Sequence, residues 1–294
     1  MFKCINLNKD NIIAFKELNS NRHKFNFLNE DFFILYDNCN FIQKLFFKKK
    51  VKLLYRKEEC IGYIWRNTVR NKCHINSLNI IKTDNIRELY NCFVKLDDNA
   101  IIEYDCENNG YNYNILEDIG FRKSRGVLEL YLNIENYKSN INTPDFINFE
   151  TPIINKHEKI RCYIQNEVFK SNSRTPLTIE DIYFDESQNY YIRDASFFIK
   201  NNTEYMGYGQ VILEDNMPFI VNFGILLKFR SKGYGKILLN HIINKLKSKG
   251  FKKVMIRVSS ENKVAISLYR SLGFLLCKEK HIFIINPSNK KVTP

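Results

Sequence analysis

Several familiar signatures are missing from this chain. Its eight cysteines, at 4, 39, 60, 73, 92, 106, 162 and 277, include no Cys-x-x-Cys pair and no metal-ligand spacing. A chain of 294 residues can bury a core without disulfide staples, so scattered thiols are expected to be reduced and packed inside. No apolar run reaches membrane-spanning length, and the start "MFKCINLNKDN" has no signal-peptide core, which makes cytoplasm the expected location. There is no Walker loop, no Gly-x-Gly-x-x-Gly fingerprint, no Ser-His-Asp or Cys-His arrangement, and no His/Cys/carboxylate cluster for a metal.

What is present describes a globular chain long enough for two domains. Hydrophobic residues make up 44% and charged residues 26%. Lys and Arg number 45 against 32 Asp and Glu, a formal charge of +13. Such an excess attracts polyanions: nucleic acid, a membrane surface or a phosphorylated cofactor. The charge is spread out, with a short run at 46–50 and a lysine-rich tail at 289–291. No basic face with interleaved aromatics is visible, so nucleic acid is not the expected partner, nor is a membrane.

Two stretches resemble each other. "ILEDIGFRKSRGVLELYL" (115–132) and "LYRSLGFLLCKEKHIFII" (268–285) each read as a short helix ending at glycine, then Phe, then an alternating strand. At the same offset "IIEYDCENN" (101–109) lies over "VMIRVSSEN" (254–262), matching Asn109 with Asn262 and Gly120 with Gly273. This pattern predicts an old duplication and two related domains, 1–140 and 147–287, parted by the aperiodic stretch 136–146.

The second half carries the sharper pattern. "DASFFIKNN" and "EYMGYGQVIL" predict a strand pair, and "FIVNFGILL" a central strand. After Gly235, Leu238, Leu239, Ile242, Ile243 and Leu246 share one helical face, and Gly250 suits the cap. "FKKVMIRVS" is a further strand, expected to run parallel to the central one. Between strand and helix lies "FRSKGYGK", 229–236. The first N–H groups of a helix have no intrahelical partner and face the positive end of its dipole, and glycines let those amides close around a phosphate.

Arg230-Ser-Lys-Gly233-Tyr-Gly235 resembles the Arg/Gln-x-x-Gly-x-Gly/Ala signature of the GCN5-related N-acetyltransferases (GNAT). Asn262, Ala265, Leu268, Tyr269, Gly273 and Phe274 resemble that family's Asn-x-x-Ala-x-x-Leu-Tyr-x-x-x-Gly-Phe signature. The motifs cover roughly 219–285; the first half joins through its repeat alone. The resemblance implies an α/β (α+β) fold: two tandem GNAT-like domains, each a mixed central sheet flanked by helices. It also implies acetyl-CoA as cosubstrate, its pyrophosphate on the amides of Arg230, Ser231, Lys232, Gly233, Tyr234, Gly235 and Lys236. The pantetheine arm would pair with the backbone of Ile225, Leu226 and Leu227, where a bulge must splay the strands; Gly224 suits either a bulge or a packed strand. Leu227 stands where family members often have proline. Asn262 would hold the arm, or cap a helix, or both. Tyr269 would hydrogen-bond to or protonate the leaving thiolate; its plain alternative is a core tyrosine.

No general base is legible. Asn222 and Arg257 stand where carboxylates often occur in the family, and Glu204, Glu214, Asp215 and Glu261 read as solvated. His241, expected on the exposed side of its helix, and His281, in the last strand, read as structural. In the first half "NIIKTDNIREL" has no glycine pair, Asp84 occupies the anion-favouring end, and Leu116 replaces Tyr269. That domain is expected to bind no CoA productively and to be non-catalytic. The chain thus reads as an N-acetyltransferase moving acetyl from acetyl-CoA to a primary amine by direct attack. The acceptor class stays open: a small-molecule amine, a peptide N-terminus or a protein lysine. The alternative is an acyl-CoA-binding or regulatory protein that has lost catalysis.

Overall fold

In the computed structural model, residues 2–97, 100–171 and 174–287 are described, so the lysine tail at 289–291 lies outside the description. The chain divides into two compact units, one of residues up to 127 with those from 278 onward, the other of Leu128–Cys277. Each is a mixed sheet flanked by helices.

The first unit begins with β1 (Phe2–Asn6), α1 (Ile12–Ser20), α2 (Arg22–Phe25), α3 (Phe32–Tyr36) and α4 (Phe41–Lys49). It continues with β2 (Val51–Arg56), β3 (Glu59–Val69), β4 (Lys72–Ile80), α5 (Tyr90–Val94), β5 (Ile101–Glu107), α6 (Asn112–Ile119) and the first half of β6 (Arg122–Asn133). Strands β1 to β4 pair antiparallel in order, and β5 joins β4 in parallel. The predicted counterpart of the long helix is only a 3-10 turn, Ile86–Leu89, and the five residues of α5.

The second unit holds the rest of β6, then β7 (Asn148–Glu150), α7 (Glu158–Val168), α8 (Ile179–Glu186), β8 (Phe197–Lys200) and β9 (Tyr205–Glu214). After these come β10 (Met217–Ile225), α9 (Tyr234–Ser248), β11 (Lys253–Ser259), α10 (Lys263–Ser271) and the start of β12 (Leu275–Ile285). Its strand order is β6-β11-β10-β9-β8-β7, with β10 and β11 parallel as expected. Helix α9 forms because Leu238, Leu239, Ile242, Ile243 and Leu246 fall on one face, and all five are fully buried. Gly250, at φ +86°, ends that turn in a backbone region closed to most side chains.

The unit boundaries differ from the expected 1–140 and 147–287. Strand β6 passes from the first unit into the second at residue 127, and β12 returns at 277. In the first unit Lys280–Ile285 pair antiparallel with β5. The polar linker 136–146 misleads because it interrupts periodicity without interrupting the second unit: Tyr137 donates to Asn240 Oδ1 at 3.1 Å, and its carbonyl accepts from Lys247 at 2.8 Å.

The repeat holds at atomic detail. Asn109 Oδ1 accepts from Asn112 N at 3.0 Å, and Asn262 Oδ1 from Ala265 N at 3.1 Å. Phe121 N donates to Leu116 O at 2.9 Å, and Phe274 N to Tyr269 O at 3.2 Å. Gly120 and Gly273 close the two helices at φ +112° and +91°.

Candidate active site

The site of the second unit grows from a defect in its sheet. Strands β10 and β11 pair only at Phe219–Met255 and Ile220–Ile256, although β10 runs on to Ile225 and β11 to Ser259. On the other side of β10, Asn222 and Phe223 stand opposite the single residue Gly209, a bulge between Val221 and Gly224. Asn222 sits at φ +49°, a conformation in which asparagine is better tolerated than most residues. Gly224 is required by approach: a Cβ there would lie 2.1 Å from Val168 Cγ1 at the end of α7. The bulge turns the strand and frees the backbone edge of residues 221–224.

That edge lies upstream of the expected one. The carbonyl of Ile225 accepts from Arg230 Nε at 2.8 Å, and the amide of Leu226 donates to Met206 O at 2.8 Å. The carbonyls of Leu226 and Leu227 accept from Phe229 N and Arg230 N. Residues 225–227 are therefore largely committed to closing the loop.

The loop follows. Ser231 and Gly233 take φ +60° and +84°, and α9 starts at Tyr234. Among the described residues none accepts a hydrogen bond from the amides of Ser231 through Lys236. A Cβ at Gly233 would meet nothing within 4 Å, so only its backbone angle asks for glycine. A Cβ at Gly235 would make ordinary contacts, the closest 3.4 Å from Leu268. The protein itself does not need glycine at 235; an object resting against the helix start would. This open, amide-lined turn fits a diphosphate.

Asn262 caps α10 through Oδ1, which leaves its Nδ2 without a partner among the described residues. Tyr269, two turns on, is 5% exposed between Phe223 and Phe274, at centroid distances of 6.3 and 5.9 Å. Burial pushes its phenol well above its ordinary value, so the hydroxyl stays protonated at neutral pH. Phe223 belongs to the bulge, so Tyr269 and the freed strand edge lie together.

A polar network beneath the bulge escaped the sequence reading. Arg161 on α7, fully buried, donates from Nη1 to Glu186 Oε1 at 2.8 Å and from Nη2 to Gln210 Oε1 at 2.7 Å and to Asp185. Gln210 Nε2 donates to Asp185 at 2.9 Å, and Asn222 Nδ2 to Gln210 Oε1 at 3.0 Å. Arginine only donates and carboxylate only accepts, so both amides are fixed in orientation, and Asn222 turns its Oδ1 away from the network. In sequence a buried arginine inside "KIRCYIQNEV" looks like any surface arginine, and its partners lie 24 to 49 residues away.

The other candidate carboxylates are engaged or remote. Glu204 pairs with Lys228 at 2.6 Å. Glu214 holds Arg257 through two bonds of 2.8 and 2.7 Å, and Arg257 also meets Glu129. Asp215 lies in the turn between β9 and β10, and Glu261 is exposed. Among the described residues no group of His, Cys, Asp and Glu could hold a metal, and no helix is long and apolar enough to cross a membrane. All eight cysteines are free thiols.

His241 is not on an exposed face. Its ring stacks on Phe149 at 3.7 Å and meets Phe197 edge-on at 4.5 Å. Burial, with Lys245 nearby, lowers its pKa to about 4. The unfolded ring titrates near 6.5, so between these values the unfolded state binds the proton and the folded state does not. This stability is complete above pH 6.5 and is lost as pH falls towards 4, by up to about 3 kcal/mol. His241→Phe should flatten the acid side of the stability curve measured by urea unfolding from pH 7.5 to 4.5; parallel curves for variant and wild type would refute it.

The first unit has the same split sheet, but it is filled. Strands β4 and β5 pair only from Lys72–Ile101 to Ile75–Tyr104. Beyond, Glu30 N donates to Asn76 O at 3.1 Å, and the Asn29 amide bridges Leu78 N and O at 3.1 and 2.7 Å. Across the gap the Asn26 amide accepts from Glu107 N and donates to Asp105 O at 3.1 and 2.8 Å. Asn109 Nδ2, the counterpart of the free Asn262 Nδ2, donates to the carbonyls of Lys24 and Phe25, both at 3.0 Å. Residues 24–30 thus take the edge that stands open in the second unit. His281 lies in the first unit beside Tyr113 and Glu279.

With this geometry in hand, residues 164–274 match the model of the acetyltransferase (GNAT) family. The [ribosomal protein bS18]-alanine N-acetyltransferase of Salmonella typhimurium is 37% identical over 65 residues, 22% of this chain and 43% of that enzyme. The Escherichia coli enzyme of the same name is 35% identical over an equal span. The chain therefore covers less than half the length of these relatives. A GCN5-related N-acetyltransferase from Sphaerobacter thermophilus shares the fold across 97% of this chain and 96% of its own, with a TM-score of 0.56 and 13% identity.

Proposed function

We propose that the second unit transfers acetyl from acetyl-CoA to a primary amine of low pKa. The observation that carries this is the conjunction of an amide-lined turn, a freed strand edge and a buried phenol. The diphosphate rests on the amides of 231–236, which have no acceptor among the described residues. The pantetheine arm pairs with the edge at 221–224, and Asn262 Nδ2 supports it. The amine nitrogen attacks the thioester carbonyl carbon, the C–S bond breaks, and the sulfur takes the Tyr269 proton. Water returns to the phenol the proton that the amine sheds.

The missing base bears on the acceptor. A lysine-like amine of pKa about 10.4 is roughly 0.04% neutral at pH 7, whereas an α-amine near 7.7–8.0 is about 10–17% neutral. The carboxylates nearest the bulge, Asp185 and Glu186, are tied to Arg161, so with no free base beside it the second kind is favoured. The curated relatives, by name, acetylate an alanine of a ribosomal protein. The first unit, its cleft filled by residues 24–30, takes no CoA in this reading.

Thiol release from acetyl-CoA over a panel of amines tests the transfer. Tyr269→Phe should lower kcat about 10²-fold or more while CoA affinity stays unchanged. Equal turnover at every pH would remove the tyrosine's role. CoA binding by the wild type without thiol release to any amine would leave the binding-protein reading instead.

A further inference from the structure

The helix that covers the bulge holds two buried donors that find no partner among the described residues. On α7, Arg161 and Gln165 are 0% and 1% exposed, and neither Arg161 Nε nor Gln165 Nε2 has a hydrogen-bond partner among the described residues. Residues four apart on a helix are neighbours on one face. That face is located at both ends: Arg161 meets Gln210, itself bonded to Asn222, and Val168 meets Gly224. Gln165, between them, therefore lies over the bulge at 222–224. A buried donor left unmade costs about 1–3 kcal/mol, so two, one turn apart beside the freed strand edge, point to an oxygen acceptor brought by a ligand.

The charge around them says what kind of oxygen. Arg161 contributes one positive charge, and Asp185 and Glu186 contribute two negative ones, a local excess of one negative charge. An anionic oxygen is disfavoured there; a neutral carbonyl oxygen attached to a cationic or neutral amine is favoured. Asn222 Oδ1, held away from Gln210, offers an acceptor for N–H on the same patch. We infer that Gln165 and Arg161 Nε recognise the carbonyl oxygen of an α-aminoacyl group, so that the acceptor is the N-terminal residue of a peptide or a similar α-amino amide. This rests on the acetyl-transfer reading above and names its substrate class. A lysine side chain has no carbonyl near its amine and gains nothing from these donors.

The test compares alaninamide with 2,2-difluoroethylamine, an amine of lowered basicity that lacks a carbonyl. Thiol release from acetyl-CoA by the full-length chain is the assay. In Gln165→Met the KM for alaninamide should rise about three- to tenfold with kcat little changed, and the kinetics of difluoroethylamine should not move. The melting temperature should stay level or rise, because methionine fills the same space without an orphaned N–H. A fall in melting temperature with both amines slowed alike would make Gln165 structural and overturn the inference. So would unchanged kinetics on both amines, as expected if an ordered water alone satisfies the donors. Wild type that releases thiol to difluoroethylamine but not to alaninamide would also overturn it. If the wild type transfers to no amine in the panel, the acetyl-transfer reading fails first and this inference with it.

Discussion

Gly233→Val should reduce affinity for coenzyme A at least a hundredfold, about 2.7 kcal/mol, and do so without unfolding the chain. The residue sits at φ +84°, a region where a β-branched side chain costs on the order of 1–2 kcal/mol. A Cβ there would meet no protein atom within 4 Å, so lost packing is not an available explanation. What changes is the aim of the amides that follow. Gly233→Asn, which tolerates the same angle, should retain most of the affinity. Titration calorimetry with coenzyme A also counts sites: one per wild-type chain and none in the valine variant. A second site surviving in Gly233→Val would show that the first unit binds the ligand despite its filled cleft. Wild-type affinity in that variant would remove the turn from the site altogether.

Arg161→Met should cost about 3–5 kcal/mol of stability, the largest single effect expected in the second unit. The arginine is fully buried and is the cation for both Asp185 and Glu186. Removing it leaves two carboxylates facing each other and deprives Gln210 of the donor that orients it. Guanidinium unfolding measures the loss. Replacing Glu186 with leucine in the same chain should recover part of it, because one uncompensated charge is removed. A loss below about 1 kcal/mol would mean that water already shares those carboxylates, as at exposed pairs.

Much of the fold and part of the site could be read from residues alone. The helix after Gly235, the parallel strand after it and the paired Asn-to-Gly-Phe segments depend on local periodicity and turn chemistry, and both copies of the repeat keep the same cap and the same reversed hydrogen bond. The bulge was half legible: Gly224 suggested it, but its reason is Val168, 56 positions earlier. The engagement of Ile225 was not legible, because nothing local says that Arg230 folds back onto it. The Arg161 network and the stacking of His241 between Phe149 and Phe197 depend on partners far away in sequence, where patterning is blind. The same holds for Asn26 and Asn29. In sequence they are two among many asparagines; in the structure their amides stand in for the main chain of a missing strand.

The passage of β6 and β12 from one unit to the other has a consequence for how such a chain can change over generations. A break in the linker 136–146 would give a front piece carrying Leu128–Asn133, which serve the other unit, and lacking Lys280–Ile285, which complete its own sheet beside β5. Neither piece inherits a whole set of strands. A gene that drops the front portion strips the second unit of strand residues, so selection on that unit alone is enough to preserve the first.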